Sequence, residues 1–505
     1  MPPISIKNLL NNFGPSSSSK IKDFLVADGL SEIAARQRIS RARGNIRRLT
    51  TIKLPKRESF LYLDTQYGSY EFWNSLVKSH TETNSAYGIA MQSIMARGGA
   101  IPKSFFSIVS GSPKKLKKHI ASDNILENLV SCKLLKIEND NELGECILID
   151  AQGSLEYSGI VSLKARLVVE DIVVKAVFEW ARKIGLASYD AIKKRTLQET
   201  PIFGQFGWDI TAPSYVYPLS SFDKKEATPG FMVIDVTNSI IDVNGARYFT
   251  KKCSINRSIK KMKPFMAMLV AERFSEEAFR LGKSSGIIFT TPRILFGKEI
   301  AENLRALSAT LENAAAIATK NPEKLLKLFN SLSSIEGAAI NLRGALFELI
   351  VGHLVYKGEG NSIDIGVKVK NSKGKSAEID IRRVKGDHQL ALYECKGYQP
   401  STQISVDDID LWLSKKVPII RGALLQEERF KNSKMLFEYW TSGAFSPEAI
   451  ELLKKKKNTT RKYEIHWKNG GDILNYAREI KSNTMVDILN QHYSKHPLST
   501  QSKTV

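Results

Sequence analysis

Cysteine is scarce in this chain. Cys132, Cys146, Cys253 and Cys395 are the four thiols, with no CxxC spacing and no histidine at zinc-ligand intervals. The pattern excludes a disulfide-stapled scaffold and a zinc framework, and leaves reduced, buried thiols. Long apolar runs are also missing: none approaches the roughly 20 residues that a helix needs to span a bilayer. The first thirteen residues show no basic stretch followed by an apolar one, so no secretory signal is read there. A cytoplasmic protein without membrane anchorage is expected. Acidic residues are outnumbered, 52 Asp and Glu against 74 Lys and Arg, for a formal net charge of +22. Such an excess favours a polyanionic partner, because neutralising phosphates releases counterions. No basic amphipathic helix with a lipid-facing aromatic edge is evident, so nucleic acid is the expected partner.

With 505 residues the chain exceeds what one hydrophobic core organises, and its 42% hydrophobic and 25% charged content is that of a globular protein. The reading is an α/β multi-domain chain with boundaries at 1–66, 67–165, 166–334 and 335–505. In the first segment a helix over 20–29 is followed by one running from the cap Ser31 through 49, with Ile33, Ala34 and Ile39 near one face. Arg36, Arg38, Arg41, Arg43, Arg47 and Arg48 load the rest of it. A hairpin over 51–63 carries a basic tip at Pro55, Lys56 and Arg57. Helix, turn, basic helix and hairpin outline a winged helix-turn-helix module, with those six arginines, Lys56 and Arg57 as DNA-binding candidates. The competing reading is a solvated basic face, but acidic residues are nearly absent from 34–57.

Segment 67–165 reads as a second such module, with helices over 72–77, 86–95 and 126–135 and strands over 146–149 and 160–163. Its loop SGSPKKLKKHI adds Lys114, Lys115, Lys117 and Lys118. Segment 166–334 reads as helix 168–184, strand 230–236, helix 260–281 and strand 286–291, then connecting helices over 302–332. Asp209 and Asp235 could stand where metal carboxylates would, yet Thr237 occupies the place of a lysine. A structural or dimerising domain is expected there, or a degenerate copy of a nuclease fold.

Chemistry concentrates further on. LRGALFELIVGHLVY reads as an apolar helix interrupted by Glu348. Three strands follow, SIDIGVKVK, AEIDIRRV and QLALYECKG, with turns at 373–375 and 386–387. Asp380 lies between Ile379 and Ile381, whereas Glu394 and Lys396 share a strand face because they stand two residues apart. Cys395 points to the opposite face and reads as a core thiol. Charges in such apolar segments are costly without mutual pairing or a cation. Carboxylate oxygens suit hard Mg²⁺, and phosphodiester hydrolysis gives the cluster a purpose. His353 lies off the face of Glu348, His388 sits in a turn, and Tyr398 and Gln403 read as packing residues.

Glu348, Asp380 and Glu394-Cys395-Lys396 resemble the pattern of the PD-(D/E)XK nuclease superfamily, and especially Mrr-type restriction endonucleases. The helix over 406–413, the segment MLFEYWTSGAFSPEAIELLKK, a strand over 463–467 and a helix after Gly471 agree with that layout. The resemblance spans about residues 335–480, with Ile379 where the superfamily's name has proline. It implies a restriction-endonuclease-like fold, and Mg²⁺-dependent hydrolysis of DNA (with Mn²⁺ as a substitute). Asp380, Glu394 and Glu348 would then serve the metal, and Lys396 would assist the nucleophile. A restriction or anti-phage defence role, a homodimer and room for a further protein partner follow by analogy. Two alternatives stay open: a DNA-binding regulator or scaffold whose nuclease fold is inactive, and a junction-resolvase-like nuclease.

Overall fold

A computed structural model describes the chain except residues 1–3, 141, 151–158, 189–190, 218, 224–225, 313–337, 361, 386–388, 399–401, 491–492 and 494–505. The turn at Gly386 and Asp387, His388 and the stretch expected as connecting helices beyond 312 therefore lie outside the described residues. Two compact units emerge: Met1–Leu163 with Val177–Leu295, and Lys164–Ala176 with Phe296–Val505.

The first unit opens with helices Ile6–Phe13, Ser18–Ala27 and Glu32–Arg41 and a three-stranded antiparallel sheet. In that sheet Phe60–Leu63 lies between Ser16–Ser17 and Ile46–Leu49. Ser31 caps the third helix by accepting from the Ala34 N–H at 3.3 Å. That helix ends at Arg41 rather than continuing through 49. The chain turns at Gly44, whose φ of 76° suits a residue without Cβ, and Arg47 and Arg48 lie on a strand. The expected apolar face is corrected too: Ala35 and Ile39 enter the core with Leu10, Ile21, Leu25 and Leu61, while Ile33 is 71% exposed.

After helix Tyr70–Glu82 the same plan recurs. Helix Ala86–Ala96, strand Ala100–Pro102, helices Phe106–Val109 and Ser122–Ser131, and strands Leu135–Asp140 and Gly144–Ile149 follow in order. Again the last strand is central in its antiparallel sheet. The helix expected over 126–135 thus starts earlier and gives way to a strand. Residues 160–163, expected as a strand, begin the 24-residue helix Ile160–Lys183.

The rest of this unit is a five-stranded sheet of β1 (Lys193–Lys194), β2 (Ile210–Ser214), β3 (Gly230–Val236), β4 (Phe265–Val270) and β5 (Ile288–Thr290), in spatial order β5-β4-β3-β2-β1. Helix α1 (Val243–Ser258) connects β3 to β4, and α2 (Glu276–Ser284) connects β4 to β5. The helix expected over 260–281 is therefore wrong. Residues 265–270, FMAMLV, form a buried parallel strand between two others, where burial on both faces outweighs the helical preference of Met, Ala and Leu.

In the second unit, helix α3 (Ala338–Glu359) precedes β6 (Ser362–Lys370), β7 (Ser376–Lys385), β8 (Gln389–Lys396), β9 (Lys434–Thr441) and β10 (Glu464–Lys468), ordered β6-β7-β8-β9-β10. Helices α4 (Val406–Leu411) and α5 (Val417–Leu424) connect β8 to β9, and α6 (Pro447–Thr459) connects β9 to β10. Leu346, Phe347, Leu349, Ile350, Leu354 and Val355 of α3 are all buried, as an apolar helix against a sheet requires. On α4 and α5, Ile409, Val417, Ile420 and Leu424 join Leu390, Leu392, Phe437 and Tyr439 in one core.

The two five-stranded sheets follow one plan. In each, the first three strands are antiparallel and the last two add in parallel. Each also carries a short parallel pair beyond its central strands, Ile240–Ile241 with Arg273–Phe274 and Gln403–Ile404 with Ala444–Phe445. Among the described residues, no helix is long and apolar enough to cross a membrane.

Candidate active site

The antiparallel pairing of β7 with β8 ends at Ile381↔Tyr393. One step beyond stand Asp380 and Glu394, both more than nine-tenths buried. The Cys395 N–H donates to Asp380 Oδ2 at 2.7 Å, fixing that carboxylate against β8. Lys396 Nζ lies 3.0 Å from Glu394 Oε1. The sequence thus brings together three of its four expected residues.

A fourth charge arrives that sequence reasoning missed. Lys416 Nζ lies 3.4 Å from Asp380 Oδ1 and also pairs with Glu394 Oε2. It closes the π-helical turn Trp412–Lys416 that joins α4 to α5. Pro418, just inside α5, has no N–H to return to the preceding turn and its ring crowds the carbonyl there, so a wide turn is the local solution. The motif KKVP in an otherwise amphipathic stretch was the available signal.

Burial alone would lower both lysines, but Glu394 and Asp380 outweigh it and hold the two ammonium groups above their usual range. Burial raises the Cys395 thiol, and the charges of Asp380, Glu348 and Glu394 push it the same way. That thiol is therefore unsuited to act as a nucleophile. Glu348 sits half-buried on α3, near enough to Cys395 for its charge to be felt. Among the described residues, no three His, Cys, Asp or Glu side chains converge as a ready metal cage. Two carboxylate oxygens do converge on one cation, that of Lys416. This donor set fits Mg²⁺, which takes one or two carboxylates and keeps water or substrate oxygens for the rest.

The end of β8 is tied down by the turn Thr441-Ser442-Gly443. Thr441 Oγ1 and the Ser442 N–H both donate to the Lys396 carbonyl at 3.1 Å, and the Tyr398 N–H donates to Ser442 Oγ at 2.7 Å. A Cβ at Gly443 would stand 2.3 Å from the Thr402 carbonyl oxygen, so glycine is required. His353, buried, faces Ser482 Oγ at 3.3 Å and belongs to packing rather than to the site.

Of the basic residues expected to meet DNA, Arg36, Arg38 and Arg41 lie on helix Glu32–Arg41, with Arg36 paired to Glu32. Arg47 is paired with Asp64, and Arg48 donates to the Ile39 carbonyl at 2.6 Å. Arg43 donates to the Ser40 carbonyl at 2.9 Å. Lys56 and Arg57 occupy the hairpin tip, both at positive φ.

No family model and no curated protein matches this chain. Among solved structures, the EndoMS–dsDNA2 complex is similar at 12% identity and a TM-score of 0.18, over 31% of this chain and 63% of that one. The chain thus spans less than two thirds of that structure's chain. Restriction endonuclease FokI is similar at 11% identity over 82% of its chain. The TM-score is 0.18 alone, covering 91% of this chain, and 0.20 bound to DNA, covering 92%. Scores of this size leave the functional argument to the geometry of the site itself.

Proposed function

We propose that the chain is a metal-dependent DNA endonuclease whose active centre lies at the end of β7 and β8. The observation that carries this reading is the convergence of Asp380 and Glu394 on one cation, with Lys396 alongside. A divalent ion held there would neutralise charge on the scissile phosphate and make water a better nucleophile. Asp380 and Glu394 would hold it. Lys396, with its side chain 30% exposed beside Glu394, is placed to steady a phosphate oxygen or orient the attacking water. Glu348 is proposed to complete the charged surround from α3. The restriction-like or anti-phage role remains part of this proposal.

Incubation with plasmid, phage and branched DNA in Mg²⁺ or EDTA, beside Lys396→Ala, tests the reading. Cleavage in Mg²⁺ alone, absent from the variant, is expected. No cleavage of any substrate would leave a DNA-binding scaffold in its place.

One such centre cuts one strand at a time. Linearising a plasmid then requires two chains, most simply as a two-fold pair. Mixing wild-type protein with Lys396→Ala protein should accumulate nicked circles at the expense of linear DNA. Linearisation by a demonstrably monomeric chain in one binding event would contradict this.

We further propose that the two amino-terminal modules are winged helices that grip DNA. Their shared order of helices and the central last strand support this, together with the basic face of helix Glu32–Arg41. Each phosphate contact steepens the salt dependence of binding. Arg41→Glu with Lys56→Glu should weaken duplex binding by roughly tenfold or more at 0.1 M salt and flatten its salt slope by about two. An unchanged slope, measured by fluorescence anisotropy, would remove these residues from the interface.

A further inference from the structure

Each carboxylate at the site has one oxygen committed elsewhere. Asp380 Oδ2 accepts from the Cys395 N–H, and Glu394 Oε1 faces Lys396. The two remaining oxygens, Asp380 Oδ1 and Glu394 Oε2, are the pair that meets Lys416. Lys416 therefore holds the oxygens that a divalent ion would need. Lys396 and Lys416 already balance Asp380 and Glu394, so a dication seated between those two carboxylates would lie beside two ammonium charges. Like charges at that range repel strongly where water is sparse.

The other five-stranded sheet provides an internal comparison. The pairing of β2 with β3 ends at Ile210↔Ile234, and one step beyond stand Asp209 and Asp235. The Val236 N–H donates to Asp209 Oδ2 at 2.6 Å, as Cys395 does to Asp380. A lysine again arrives from the helix after the central strand: Lys252 of α1, with Nζ 2.7 Å from Asp235 Oδ2. That lysine is fully buried, 3.8 Å from the Trp208 ring centroid, and donates also to the Ile108 carbonyl at 3.0 Å. Asp209 Oδ1 pairs with Arg195, and Asp235 Oδ1 accepts from the Asp209 N–H. All four carboxylate oxygens are engaged, and the lysine has no path out. Lys416 differs in its freedom to move: its side chain is 21% exposed, it closes a wide helical turn, and its partners among the described residues are the two carboxylates.

We propose that Lys416 is a displaceable resident cation, which occupies the metal position of the nuclease site and yields it when a divalent ion binds alongside a DNA phosphate. The inference rests on the nuclease reading for its substrate. Lys416 keeps the two carboxylates together without metal, and it lowers their affinity for metal in the absence of DNA. A nearby phosphate offers the released ammonium a new partner. Metal and DNA then bind with positive coupling, and by linkage each tightens the other equally.

Titration of Mn²⁺ into the full chain without DNA, followed calorimetrically, tests this directly. Lys416→Gln should bind Mn²⁺ more tightly than wild type, by about tenfold or more, within the range usual for coupled sites. Lys416→Arg, which keeps the charge, should stay close to wild type. In EDTA, Lys416→Gln should melt below wild type, and Mn²⁺ should restore more of its melting temperature than it adds to wild type. If the glutamine variant does not fold, Lys416→Met is read in the same way against the arginine variant. Equal Mn²⁺ affinity in wild type and folded charge-removed variants overturns the displacement role while leaving DNA cleavage by wild type untouched. Absent cleavage with tightened Mn²⁺ binding would instead overturn the nuclease reading and keep the displaceable cation.

Discussion

Asp380→Asn protein should fold, bind duplex DNA as wild type does, and cleave plasmid at least on the order of 10²–10³-fold more slowly, comparable to the loss of one charge-stabilising group from a buried catalytic centre. The amide retains an oxygen for the Cys395 N–H, which Asp380 Oδ2 now accepts at 2.7 Å, so the junction of β7 and β8 keeps its hydrogen bond. What disappears is one of the two negative charges that meet Lys416, and with it half of the carboxylate set available to a divalent ion. Asparagine is chosen over alanine because a truncated side chain would orphan a buried backbone donor, at a cost of about 1–3 kcal/mol, and blur loss of chemistry with loss of fold. Nicking rates at saturating Mg²⁺, read beside thermal melts and anisotropy, separate the two. Wild-type cleavage by well-folded Asp380→Asn protein would remove Asp380 from the centre.

The carboxy-terminal sheet was readable because its strands carry their own evidence. Alternation and turn residues mark β6 and β7, while the apolar run LALY before Glu394 marks a strand covered on both faces. Glu394 and Lys396 announced themselves as charges in that run. Lys416 did not: the KKVP motif marks a turn but not a partner, and the turn at Pro418 delivers that lysine to the carboxylates. Lys252 was hidden in the same way. Thr237, two residues after Asp235, stands where a strand lysine is expected, whereas the structure supplies the lysine from the following helix. Local preference failed where tertiary burial decided the outcome: residues 265–270 look helical by composition and form a strand because two neighbours flank them. Around Gly44 the error ran the other way. Arginine-rich sequence on both sides suggests continuity, but the helix stops at Arg41, Ala42 is already extended, and Gly44 at positive φ turns the chain into the strand.

Lys252→Met should be the most destabilising of the changes considered, without altering cleavage per folded molecule. Lys252 and Asp235 are both fully buried and 2.7 Å apart. Burial pulls the Lys252 ammonium below its usual range, and Asp235 is the main influence opposing that pull. Removing one member strands the other charge inside the unit, which costs about 3–5 kcal/mol. For a unit of this size such a loss lowers the melting temperature by roughly 10 °C. The double change Asp235→Leu with Lys252→Met removes both charges and should recover much of that loss, since an apolar pair often replaces a buried ion pair at little cost. Cleavage should follow the folded fraction throughout, because the Asp209–Asp235 pair is closed off by a buried Arg195 and a fully buried Lys252. The Mn²⁺ stoichiometry should likewise be unchanged between wild type and the double variant. A folded double variant that has lost cleavage, or one equivalent of Mn²⁺, would mean that this second carboxylate pair takes part in the chemistry and that each chain carries two centres rather than one.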